Sequence, residues 1–151
     1  MHALGRIAPI TLIAGAVLLA QPAGAQSTGS TDAGAIRRVV TSAYIDGLHR
    51  NGSRADIRAG FHPDFVMKVF QGDSVVDVTI EQWIGRLPPE GEKPEHTVTH
   101  RIPQVDIAGR AAIARVEVLF DDRHVFTDYM SLYRFEGGWR IVAKIFNREG
   151  R

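Results

Sequence analysis

His96 and His100 stand four residues apart, a spacing that pairs metal ligands when it falls on a helix. The residues between them, Thr97, Val98 and Thr99, are all β-branched and favour a strand instead. Four strand steps of ~3.3 Å set the two rings about 13 Å apart, too far for one zinc to bind both at ~2 Å. The chain has no cysteine, which removes a thiolate nucleophile, a Cys-ligated zinc and a disulfide scaffold. It also holds no His-Glu-x-x-His zinc motif, no glycine-rich phosphate loop and no serine elbow. No metal and no cofactor is expected. With 18 Lys and Arg against 17 Asp and Glu, no basic excess exists to hold a nucleic acid.

The 151 residues suit one domain with a leading segment. Residues 1–25 read as a secretory signal: Arg6, an apolar run from Ile7 to Ala20, then small residues at Ala23 and Ala25 before the cut. The apolar run is shorter than the ~20 residues that span a bilayer, so no stable membrane anchor is expected after cleavage. Its removal leaves 126 residues with 17 basic and 17 acidic side chains. Export without any cysteine fits a bacterial periplasm or the extracellular medium. Residues 26–33 are rich in Ser, Thr and Gly and read as a flexible leader, with the domain proper at 34–151.

Within that domain the order is helices, then strands. A cap at Thr31 or Asp32 opens a helix whose apolar face carries Ile36, Val39, Val40, Ala43, Tyr44 and Leu48. Asn51-Gly52 ends it, and Ser53 caps a short second helix that Pro63 stops. A strand covers Phe65–Phe70. A third helix runs from Thr79 to Arg86, with Gln82 completing a capping box and Trp83 on its apolar side. Residues 88–94 are loop. Four strands follow at 96–107, 111–121, 124–136 and 138–147, turning at 108–110, 122–123 and 137–138. Helices followed by a curved antiparallel sheet define the α+β class.

Turn positions predict side-chain faces. A hairpin centred on Gly137 sets Tyr129 opposite Ile145, Ser131 opposite Ala143 and Tyr133 opposite Ile141. A turn at Asp122-Arg123 sets Ala114 beside Ser131 and Val116 beside Tyr129. One face then carries Ala114, Ser131 and Ala143, ringed by Val116, Tyr129, Tyr133, Ile141 and Ile145. Small residues ringed by aromatics form either the floor of a cavity or a place where a helix packs close. Tyr44 and Trp83 would supply its lid and wall. The opposite face would hold Arg115, Glu117, Asp128 and Lys144, either as a compensated charge network or as the setting of a working Asp128. One residue more or less in the Asp122 turn moves Asp128 to the other face.

Four segments in this order resemble the nuclear transport factor 2-like superfamily, and within it the putative lumazine-binding subgroup. They are Tyr44-Ile45-Asp46-Gly47, Phe61-His62-Pro63-Asp64, Thr127-Asp128-Tyr129-Met130-Ser131-Leu132 and Gly138–Phe146. The resemblance implies a cone, with a curved antiparallel (mixed) sheet wrapped round the N-terminal helices and an internal pocket. It also implies frequent homodimers through the outer sheet face. The superfamily hosts isomerases, dehydratases, cyclases and non-catalytic binders, so the fold leaves the function open. Tyr44 matches the oxyanion-holding tyrosine of its ketosteroid isomerases, but Lys68, Val69 and Phe70 stand where their base would be. The resemblance to members that use His and Asp pairs offers His62 with Asp128 or Asp64.

The expected function is an exported domain that binds a small apolar or aromatic molecule, with no catalysis demonstrated by its residues. One alternative is a lyase or isomerase using Tyr44, His62 and Asp128. Another is a structural or partner-binding dimer with a filled interior.

Overall fold

The computed structural model describes residues 24–150. Most of the signal segment read at 1–25 lies outside them. The first helix, α1, spans Gly24–Val39 and so begins ahead of the expected cap. Residues 26–33, read as a leader, are helical.

From Val40 to His49 the same helix widens into a π-helical segment, closed by a hydrogen bond from the Arg50 amide to the Ile45 carbonyl at 2.8 Å. A positive φ of 56° at Asn51 turns the chain out of it. Asn51 is itself buried, and its amide group donates to the Pro89 and Glu92 carbonyls, pinning the loop before the third strand. The helix α2, Arg54–Gly60, starts at Ser53, whose hydroxyl accepts from the Asp56 amide as the sequence predicts. The third helix, α3, is Ile80–Ile84 and has the expected Thr79–Gln82 capping box.

Six strands form one sheet: β1 Phe61–Gln71, β2 Ser74–Thr79, β3 Val98–Ala108, β4 Ala111–Phe120, β5 Arg123–Phe135 and β6 Gly138–Arg148. Their order is β2-β1-β6-β5-β4-β3. Only β1 and β6 are parallel; every other pair is antiparallel. Two features of the first hairpin differ from expectation. Pro63 does not stop a helix but lies inside β1, in the stretch between Phe61 and Val66 where pairing to β6 is interrupted. A residue without an N–H is tolerated there because no ladder bond is lost. The strand β2 escapes the pattern because it is short and exposed except at Val78.

The β4–β5 hairpin carries the main correction. Its turn is Asp121-Asp122, with φ of 50° and 63°, the double left-handed geometry of a type I′ turn. Phe120 therefore pairs with Arg123 and Leu119 with His124, but Val118 pairs with Phe126. Val125 is the extra residue of a β-bulge. Beyond it Val116 opposes Asp128 and Ala114 opposes Met130, one residue away from the expected register. Asp128 thus joins Ala114, Val116, Met130 and Leu132 on the concave face, all buried. Tyr129, Tyr133 and Ile145, expected in a pocket, lie on the convex face and are about half exposed. Ser131 and Ala143 pair with each other on that same convex face. A second bulge between Ser131 and Leu132 sets Tyr133 opposite Arg140 rather than Ile141.

The concave face closes on the helices through Ile36, Val40, Ala43, Tyr44, Leu48 and Ile57. The approach of α2 to the π-helical segment depends on Gly60, where a Cβ would stand 2.3 Å from that of Ala43. Gly60→Ala is expected to lower unfolding free energy by ~1–3 kcal/mol through overpacking. A denaturation midpoint equal to that of the parent would refute this close-packing argument.

Candidate active site

Two charged side chains sit in the apolar interior: Asp128 on β5 is fully buried, and Lys144 on β6 is 4% exposed. The Lys144 ammonium lies 2.8 Å from Asp128 Oδ1. It donates to the Tyr44 hydroxyl at 2.7 Å, and that hydroxyl donates to Asp128 Oδ2 at 2.6 Å. Three groups from three elements thus close a ring of contacts. The Oδ1 contact is ionic only, since that oxygen accepts no well-angled hydrogen bond.

Around the ammonium stand three aromatic faces. Its nitrogen is 4.7 Å from the Tyr44 ring centre, 4.9 Å from that of Trp83 and 4.8 Å from that of Phe146. Their negative π-faces replace part of the lost hydration. Burial lowers the Lys144 pKa, with the Asp128 charge opposing that shift. Burial, then the Asp128 charge and hydrogen bond, raises the Tyr44 pKa well above the ordinary phenol value.

His49 completes the interior. Its ring stands edge-on to Tyr44 at 4.7 Å and also meets Phe120 and Phe126. The residue as a whole is half-buried, but its Nε2 is enclosed and has no hydrogen-bond partner. Burial, with the Lys144 charge, pushes its pKa from 6.5 down to about 3, so the imidazole is neutral near pH 7. In an α-helix, Tyr44 and His49 would point about 140° apart at ~100° per residue. The π-helical hydrogen bonding, five residues per closure, brings them onto one face. A 3.6-residue pattern gives no signal for this, which is why sequence reading misses His49.

At the end of the sheet beside this cluster, Phe70, Phe126, Phe146, Asn147 and Arg148 line a cleft of about 510 Å³. Phe146 both lines the cleft and carries the Lys144 ammonium against its ring. The Arg148 guanidinium stacks over Phe126 at 5.4 Å.

Of the residues predicted from sequence, Tyr44, Trp83, Val116 and Asp128 meet here, and Ala114 lies on the same face. His62 does not. It stacks on Phe135 at 4.8 Å, its Nδ1 accepts from the Asp64 amide, and the Asp64 carboxylate, the other partner expected for it, lies 3.7 Å from that nitrogen and is almost fully exposed. Phe135 is seven strand residues from Asp128, or about 23 Å at ~3.3 Å per residue. The expected charge network is likewise divided. Arg115 pairs with Glu117 at 3.0 Å on the convex face, while Asp128 and Lys144 pair inside. His96 contacts Asp121, and His100 contacts Thr41.

A curved sheet closed over N-terminal helices in this strand order is the nuclear transport factor 2-like fold. Residues 31–147 match the family model described as "Putative lumazine-binding", and the chain belongs to that family. It is 27% identical over 112 residues to the aldolase FrzH of Cladobotryum sp., covering 69% of this chain and 82% of that protein. An NTF2-like protein from Shewanella baltica superposes with a TM-score of 0.63 at 23% identity, covering 81% of this chain and 97% of its own. Another from Methylobacillus flagellatus gives 0.59 at 25% identity, covering 80% and 94%.

The neutral state of His49 has a stability consequence. Between pH 6.5 and about 3 the unfolded chain binds a proton that folded His49 does not. Stability therefore falls as pH drops through that window, by about 1.4 kcal/mol per pH unit for one proton. His49→Phe is expected to flatten the pH dependence of urea unfolding by that one-proton slope. Equal slopes in parent and variant would refute the assignment.

Proposed function

We propose that this protein takes a small, largely apolar or aromatic molecule into its interior. There it carries out lyase or isomerase chemistry with Tyr44, Asp128 and Lys144. The observation that carries the reading is the closed ring of these three groups among aromatic faces, next to an open cleft. A buried ion pair is a poor stabiliser, because hydrophobic residues of similar volume often serve the fold as well or better. Its presence points to chemistry. Tyr44 and the Lys144 ammonium are donors suited to a carbonyl oxygen or the oxyanion formed from it, and Asp128 is the base that accepts a proton. The likeness to a protein named as an aldolase supports carbonyl substrates.

The test is a β-hydroxyketone that releases a fluorescent naphthaldehyde on carbon–carbon cleavage. The parent is expected to turn it over, and Asp128→Asn to slow it by ~10²–10⁴. An unchanged rate in a folded variant would sink the catalytic assignment. Binding of the probe without turnover by the parent would make the interior a carrier site instead.

Export to a bacterial periplasm or the extracellular medium is part of this proposal, supported by the apolar run and small residues at 1–25. So is a homodimer through the convex sheet face, where Ile113, Tyr129, Tyr133 and Ile145 are each 47–56% exposed. Exposed apolar side chains grouped on one face mark an interaction surface. Tyr129→Glu is expected to convert a dimer to a monomer by light scattering; a parent that is monomeric at micromolar concentration would refute this.

A further inference from the structure

We infer that Lys144 is a covalent attachment point, forming an imine with an aldehyde or ketone carried by the small molecule that enters past Phe146. This rests on the reading of the interior as the ligand site and names the substrate class for it.

The geometry supplies each part of the step. Lys144 Nζ has a carboxylate oxygen at 2.8 Å to take its proton and the Tyr44 hydroxyl at 2.7 Å to act on a neighbouring oxygen. Phe146 touches Nζ with its ring and also lines the cleft, which makes it the side chain whose rotation would join the two. Burial disfavours the ammonium and so eases the release of its proton to Asp128.

The ammonium gives one proton to Asp128. The amine lone pair then forms the C–N bond as the carbonyl π electrons move to oxygen. The nitrogen proton passes to that oxygen through the Tyr44 hydroxyl. Asp128 returns its proton to the hydroxyl so formed, the C–O bond breaks, and water leaves. The products are a protonated imine and water, with Asp128 again a carboxylate. The protonated imine withdraws electrons from the adjacent carbon, which is what carbon–carbon cleavage or proton abstraction there requires.

The other two lysines of the chain make the assignment testable. Lys68 is half exposed and paired with Asp77 at 2.7 Å, and Lys93 is exposed. Neither has the buried carboxylate and phenol.

The full chain is incubated with a naphthaldehyde and cyanoborohydride, then mapped by peptide mass spectrometry. The reduced adduct is expected on the Lys144 peptide, formed about tenfold or more faster than on Lys68 or Lys93. It is expected to vanish in Lys144→Arg, which keeps the charge facing Asp128, and to form faster in Phe146→Ala. Adducts only at Lys68 and Lys93 of the parent overturn the proposal, whatever the variants do. Naphthaldehyde binding is followed in parallel by fluorescence without reductant. Saturable binding with no adduct at Lys144 removes the covalent step and leaves the interior-site reading standing. Neither binding nor adduct removes both.

Discussion

The structure is organised around a charge pair shut away from solvent. Once Asp128 and Lys144 are enclosed, everything that normally hydrates a carboxylate and an ammonium has to come from the protein. The Tyr44 hydroxyl bridges the two charges, and three aromatic faces supply the rest for the ammonium. These groups come from a helix near the start of the described chain, a short helix in the middle and two strands near its end. The contacts span 84 and 100 residues in sequence. Removing one charge would leave the other buried and alone, a defect of ~3–5 kcal/mol. The polar cluster is therefore a condition on how the sheet closes over the helices.

Two backbone irregularities meet that condition. The π-helical segment rotates His49 onto the face of Tyr44, so two rings from one helix line the same interior. The bulge at Val125 then turns Asp128 inward against Val116. Neither uses an unusual side chain. Both change the count of residues per turn or per pair, and so the direction in which ordinary side chains point.

This also explains which parts of the fold and site were legible in the sequence. Apolar spacing marked the face holding Ile36, Val40, Ala43, Tyr44 and Leu48 because regular helical periodicity is a property of composition along the chain. Capping residues marked Ser53 and Thr79 for a similar reason: the bonds are local, made to the amide three residues on. Tyr44 and Asp128 could be named from the family pattern, and Trp83 from the apolar side of its capped helix. The faces of β4, β5 and β6 depend on where each turn and bulge falls. An Asp-Asp pair with both φ values positive and a valine bulge leave little trace in hydrophobic alternation. That shift placed Tyr129, Ser131, Tyr133, Ala143 and Ile145 inside when they belong outside, and Lys144 outside when it belongs inside. His62 meets Asp64 at 3.7 Å but misses Asp128 for another reason: a motif gives residue type, whereas distance along the strand decides who meets whom.

The same bulge has a bearing on how this protein tolerates changes of chain length. Inside and outside along β5 are distinguished by parity alone. Between Asp121 and Asp128 a one-residue insertion or deletion would exchange the carboxylate for the phenol of Tyr129 across the whole sheet. The loop from 85 to 97 has no such parity to keep, and away from Pro89, Gly91 and Glu92, which Asn51 holds, it can lengthen without reversing the faces of the strands around it. In drift or in engineering, length is freer on one side of this molecule and close to frozen on the other. The frozen segment is the one that carries the charge.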